Sequence, residues 1–191
     1  MQAIFNLPLQ QPLPGVILPW ADAEPAARGD SLRAPLQVAM GQLKAGGRTD
    51  QLQALLGSCV GIGLIWKKRG RCALAHCLLP ECPEAADEFG ARYVNQAVPS
   101  LLRLLGVGEA DYADIEVVLA GGATMLNSCS SRLQIGQQNA DAARKHLRKR
   151  GLNVSYCRIG GKCGRTLTID CATGAYTVQE IVTSTRGAAH A

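Results

Sequence analysis

Between residues 55 and 79 two apolar runs flank a short cationic turn, and this is the clearest pattern in the chain. The first run, Val60–Trp66, holds β-formers and glycines without a polar residue, and Gly57-Ser58 precedes it. Its length and bounds predict a short buried strand. The second run covers residues 71–79 and stops at Pro80, so the pair reads as a β-hairpin whose turn is the four residues 67–70. That turn length sets Trp66 opposite Arg71, Gly61 opposite His76 and Cys59 opposite Leu78. Cys59 and His76 then become diagonal neighbours on one face, with Cα atoms about 7–8 Å apart, a gap an imidazole can cover. Gly61 and Gly63 fall on the Cys59 side and, having no side chains, predict open space where a substrate could enter.

The rest of the pattern fits one α/β domain. Residues 1–30 are proline-rich, without period, and read as a loose amino-terminal arm. Residues 31–44 fit a strand or a short helix, since Leu32, Leu36, Met40 and Leu43 follow helical spacing and Pro35 suits a first turn. Residues 80–90 are acidic and read as an exposed loop at the mouth of the hairpin, solvated or contributing to substrate recognition. Residues 91–105 repeat apolar positions at i, i+3, i+4 and predict an amphipathic helix, kinked or interrupted at Pro99. Residues 115–120 form a β-branched run that leads into Gly121-Gly122-Ala123, and residues 137–150 predict a second helix that turns Arg144, Lys145, Arg148, Lys149 and Arg150 outward. Those cations are a solvated face or a surface for an acidic partner. Strands follow at 152–158, 165–171 and 175–180, and residues 185–191 read as a mobile tail. The folded domain spans 31–184, a layered β-sheet with helices packed on its outer faces.

Composition narrows the function. In 191 residues, 47% hydrophobic and 18% charged, there is material for one substantial core. A net charge of +5 with 4% aromatics gives no basic stripe with stacking residues, which argues against nucleic acid. No run of eighteen apolar residues exists, so no membrane insertion is expected, and the prolines at 8, 12, 14 and 19 break up any signal-peptide core. Eight cysteines would suit disulfides in a secreted chain, but without a signal peptide they read as free thiols in a reducing cytoplasm. Cys72, His76, Cys77 and Cys82 lack paired Cys-x-x-Cys knuckles, so no metal or other cofactor is expected. Cys157, Cys163 and Cys171 read as core filler.

A cysteine beside a histidine is the minimal apparatus of thiol acyl chemistry, because the thiolate attacks carbonyls and an imidazole promotes its formation. Gly57-Ser58 permits a sharp approach to the strand and leaves N–H groups of Ser58 and Cys59 free for an oxyanion. The plainer reading of each is a small buried hydrophobe and a satisfied core histidine.

The same residues resemble the CheD family of chemoreceptor glutamine deamidases. The likeness is carried by Leu-Gly-Ser-Cys-Val with a histidine seventeen positions after the cysteine, Gly121-Gly122-Ala123 with Met125, Ile135-Gly136 with Asn139, and Gly160-Gly161 with Gly164-Arg165. It implies that Cys59 is the nucleophile and His76 its acid and base, acting on glutamine side chains of chemoreceptor cytoplasmic domains. It also implies association with a CheC-like phosphatase. The family has a threonine six residues before the nucleophile, where this chain has Gln53. Either Gln53 orients the imidazole through its side-chain oxygen, or a backbone carbonyl does so. The alternative function is a non-catalytic adaptor that binds receptors and the phosphatase. Asn139 caps its helix or hydrogen-bonds near the site, and Arg165 either anchors an anion or ties its loop to a carbonyl.

Overall fold

Leu52, Ala54 and Leu56 alternate with Gln51, Gln53 and Leu55, and strand β3 (Gln51–Leu56) buries the first set and turns the second away from the core. The structure, a computed structural model, describes residues 34–124 and 134–181. The arm expected over 1–30 and the tail expected over 185–191 lie outside them.

Strands β1 (Leu36–Gln37), β3, β8 (Arg165–Asp170) and β9 (Tyr176–Glu180) form a four-stranded sheet in the order β1-β3-β8-β9. Strands β2 (Leu43–Gly46), β5 (Arg71–Cys77), β4 (Val60–Trp66), β6 (Glu116–Gly121) and β7 (Val154–Ile159) form a five-stranded sheet, written here in its spatial order. The two sheets stack. Leu52, Ala54, Leu56, Leu167 and Ile169 of the smaller sheet meet Ile65, Cys72, Leu74, Val118 and Ala120 of the larger one. Large aliphatic side chains buried this fully each contribute about 1.5–3 kcal/mol through apolar area removed from water. On its other face the five-stranded sheet is covered by helices α1 (Val94–Leu105) and α2 (Ile135–Lys149), which pack on Val60, Ile62, Leu64, Ala73, Ala75, Val117 and Leu119. The layers are therefore helices, sheet, sheet. The single α/β domain expected from the sequence is observed, with both α-helices on the outer face of the larger sheet.

The central hairpin forms in the expected register. Gly61 pairs with His76 and Trp66 with Arg71, across a turn of one 3-10 segment (Lys67–Arg69) closed by Gly70 at φ 59°. Residues 34–44 hold no helix: β1 and β2 are short strands separated by a turn at Gly41. Apolar spacing alone could not distinguish these readings, and pairing of β1 with β3 and of β2 with β5 decided between them. Helix α1 runs through Pro99 without interruption. Packing of its apolar face, from Val94 to Leu105, outweighs the one backbone bond that proline cannot make.

Cys157 and Cys163 are exposed rather than core filler, whereas Cys171 is buried. β7 lies at an edge of its sheet, and Cys163 sits in the glycine-rich turn before β8, so neither meets the core. The seven cysteines among the described residues are all free thiols.

Candidate functional site

The nucleophile candidate sits at the rim of the larger sheet. Strand β4 is covered on both faces, and Cys59, one residue before it, retains 7% of its surface. Extending the β4–β5 register by one pair sets Cys59 diagonal to His76. His76 is 3% exposed and belongs to the set of β5 residues, with Cys72 and Leu74, that turn towards the smaller sheet.

What holds the ring is a backbone carbonyl. His76 Nδ1 lies 3.0 Å from the Val38 carbonyl oxygen, an acceptor only, so Nδ1 carries the proton and donates it there. This fixes the tautomer and leaves the lone pair on Nε2, which is buried without a hydrogen-bond partner among the described residues. The thiol and ring are thus not bonded to each other in this state. Catalytic hydrogen bonds often close only around substrate.

Gln53, the sequence's candidate for that orienting role, is elsewhere. Its Nε2 donates to Thr168 Oγ1 at 2.9 Å, and its Oε1 accepts from Gln37 Nε2 at 2.7 Å, all on the outer face of the four-stranded sheet. Strand parity is the reason: Leu52 and Ala54 point inward, so Gln53 points out. Of the two alternatives left open by the sequence, the imidazole's partner is the backbone carbonyl. Gln53→Ala is expected to leave kcat within about threefold of wild type and to cost about 1 kcal/mol of stability through two lost surface hydrogen bonds. Steady-state kinetics beside urea denaturation would check both halves.

Gly61 and Gly63 do lie on the predicted face, but the space beside them is filled. A Cβ on Gly61 would stand 2.7 Å from Leu56 Cδ1, and one on Gly63 would stand 2.6 Å from Ile169 Cδ1. These glycines admit side chains of the opposing sheet, so Gly61 is a packing position and not a site wall.

The loop that carries Cys59 is pinned at three successive carbonyls. The Ala123 N–H donates to Gly57 O at 2.9 Å, Asn139 Nδ2 to Ser58 O at 3.0 Å, and the Gly122 N–H to Cys59 O at 2.7 Å. The strand-to-glycine run at the end of β6 therefore buttresses the Cys59 loop with its backbone. It also receives α2 closely: a Cβ on Gly136 would meet the Gly122 and Ala123 carbonyl oxygens at 2.6 Å. Among the described residues, the N–H groups of Gly57, Ser58 and Cys59 donate to no backbone carbonyl. Those of Ser58 and Cys59 are the donors expected to face an oxyanion.

Arg165 is buried and ties its loop to a carbonyl, with Nη1 donating to Gly121 O at 3.1 Å and Nη2 facing Glu180 Oε1 at 3.3 Å. At the mouth of the hairpin Glu81 is paired with Lys145 and His146 of α2. Two surface cavities flank α2. One lies against Asn95, Pro99 and His146 and the other against Arg144, Arg148 and Cys157; neither is lined by Cys59 or His76.

Electrostatics favour a neutral resting pair. Burial pushes the Cys59 thiol above its ordinary value, with its own N–H pulling the other way. Burial holds the His76 imidazole below its ordinary value, and the bond to Val38 offsets part of this. Cys77, the residue after His76, faces the helices. Burial and then the nearby Cys59 thiol push it far up, so it stays protonated and inert. Among the described residues no cluster of three His, Cys, Asp or Glu side chains is placed to hold a metal ion.

Residues 78–180 match the family model described as CheD chemotactic sensory transduction. Three relatives carry the name of probable chemoreceptor glutamine deamidase. The one from Bdellovibrio bacteriovorus is 33% identical over 146 residues, 75% of this chain and 93% of the relative. That from Ruegeria sp. is 38% identical, over 76% and 92% of the two chains. That from Methanococcus vannielii is 36% identical, over 76% and 94%. With the family model covering more than half of the chain and these identities sustained over most of its length, the chain belongs to the CheD family.

Proposed function

We propose that this protein hydrolyses glutamine side-chain amides of chemoreceptor cytoplasmic domains to glutamate, with Cys59 as nucleophile and His76 as general base and acid. The supporting observation is the fixed tautomer of His76, whose Nδ1–H is spent on Val38 and whose Nε2 lone pair is buried, without a partner among the described residues, on the strand beside the thiol. In the first step Cys59 Sγ forms a bond to the amide carbon while its proton passes to His76 Nε2, and the carbonyl electrons move to oxygen. Backbone N–H groups of Ser58 and Cys59 receive that oxyanion. Collapse breaks the C–N bond, and the nitrogen leaves as ammonia with the proton from Nε2. Water, deprotonated by the same nitrogen, then opens the thioester to a carboxylate and restores the thiol. The relatives' names support a chemoreceptor substrate.

Gln53 in place of the family's threonine would suit the adaptor alternative. With the ring held by Val38, that substitution bears less on the chemistry. Intact-mass spectrometry of purified receptor cytoplasmic fragments tests the proposal: each glutamine converted adds about one dalton as an amide becomes a carboxylic acid. Receptor fragments bound by the protein but unchanged in mass would establish the adaptor instead.

A neutral pair makes a prediction about pH. Alkylation of Cys59 by iodoacetamide requires the thiolate, so its rate is expected to keep climbing past the ordinary thiol value of 9.0, with no plateau near neutrality. Turnover needs only an unprotonated Nε2. Because the folded His76 titrates lower than a free imidazole, the acid limb of kcat/KM is expected below 6.5. A thiolate–imidazolium pair would show the opposite alkylation profile, already flat at pH 7.

A further inference from the structure

We propose that Asn139 is a positioning residue that sets the oxyanion donors, an inference that rests on the thiol mechanism above. Asn139 lies near the start of α2 with its side chain fully buried. Both protons of its amide are committed: Nδ2 donates to Ser58 O and to Leu78 O, each at 3.0 Å. Ser58 immediately precedes the nucleophile, and Leu78 lies two residues beyond His76. One side chain therefore bridges the chain segments that carry the two reacting groups.

The effect on chemistry follows from peptide geometry. In a trans peptide the C=O of one residue and the N–H of the next point in opposite directions. Holding Ser58 O towards α2 turns the Cys59 N–H the other way. Ala123, by holding Gly57 O, does the same for the Ser58 N–H. Among the described residues neither N–H group has a backbone acceptor, as befits a donor pair awaiting an oxyanion. A second observation separates this role from simple stabilisation. Asn139 Oδ1 is buried with no partner among the described residues, so the side chain carries an acceptor that an apolar residue would not. The two carbonyls it serves also exclude the flipped amide, since they accept only from nitrogen.

The test compares wild type with Asn139→Ala and Asn139→Ser by three readouts. Ammonia release from receptor fragments gives kcat and KM. Iodoacetamide reports the thiol alone, since sulfur displaces iodide without forming an oxyanion. A peptide carrying an aldehyde in place of the glutamine amide reports the donors without turnover: Cys59 adds to the carbonyl carbon and the thiol proton ends on its oxygen. Loss of donor alignment is expected to lower kcat about 100-fold and weaken the aldehyde by a similar factor, with KM and the alkylation rate within about threefold. The proposal is overturned by a kcat close to wild type, by an alkylation rate that falls as far as kcat, or by both variants failing to fold. Wild-type protein that takes the aldehyde yet releases no ammonia sinks the deamidase reading instead, and the clamp is then judged on aldehyde affinity.

Discussion

Cys59→Ala is expected to abolish deamidation, by about 10⁴-fold or more, while leaving the fold and receptor binding in place. The size of the effect follows from the proposed mechanism, in which without sulfur there is no covalent intermediate and the donors of the loop can only polarise an amide towards water. The neighbouring thiol cannot substitute. Cys77 is fully buried on the helix side of β5, whereas Cys59 is at the rim. Stability should change little, because alanine fills nearly the same space and the loop is held through backbone carbonyls at Gly57, Ser58 and Cys59 rather than through the thiol. A cost near 1 kcal/mol is expected, readable as a shift of a few degrees in Tm. The measurement is the intact mass of receptor fragments after overnight incubation, beside a pull-down of the same fragments. A full mass gain with Cys59→Ala would remove this residue from the chemistry. Loss of the pull-down would show that the thiol serves binding.

The hairpin that carries the site was legible because two local rules coincide. A four-residue turn between apolar runs fixes the register, and the register alone sets His76 opposite Gly61. The glycines at the end of β6 let backbone approach backbone closely, and the N–H groups of Gly122 and Ala123 contact the Cys59 loop. What packs on a strand face is not written in that strand. Gly61 and Gly63 were rightly placed on one face, yet the residues filling it, Leu56 and Ile169, come from the other sheet. The Val38 carbonyl could not be found at all, since a backbone acceptor leaves no mark in residue identity. Gln53 was different, because the alternation of Leu52, Ala54 and Leu56 already turns it outward once β3 is read as half-buried. For Asn139 the sequence left open a helix cap or a hydrogen bond near the site, and only the fold, which brings it to carbonyls 81 and 61 residues away, decides for the second.

Gly121→Ala is expected to be the most disruptive single methyl near the site, destabilising the protein by more than about 4 kcal/mol. Two costs add. Gly121 sits at φ 100°, where an L-residue is strained by about 1–3 kcal/mol. In addition its Cβ would stand 2.3 Å from Cys59 O and 3.1 Å from Leu56 Cβ. The Cys59 carbonyl cannot withdraw cheaply, because it accepts the Gly122 N–H at 2.7 Å. Relief would have to come from moving the Cys59 loop, so any protein that does fold should lose turnover as well as stability. Gly160→Ala isolates the first cost. Gly160 also has positive φ, 79°, but among the described residues nothing lies within 4 Å of the added carbon, so about 1–3 kcal/mol is expected from strain alone. Urea denaturation of both variants separates the two costs. Equal losses would mean that β6 and the Cys59 loop part easily, and the rigid backing ascribed to the glycine run would be wrong. A larger loss at Gly121, with activity falling alongside it, ties the position of the thiol to the backbone of β6.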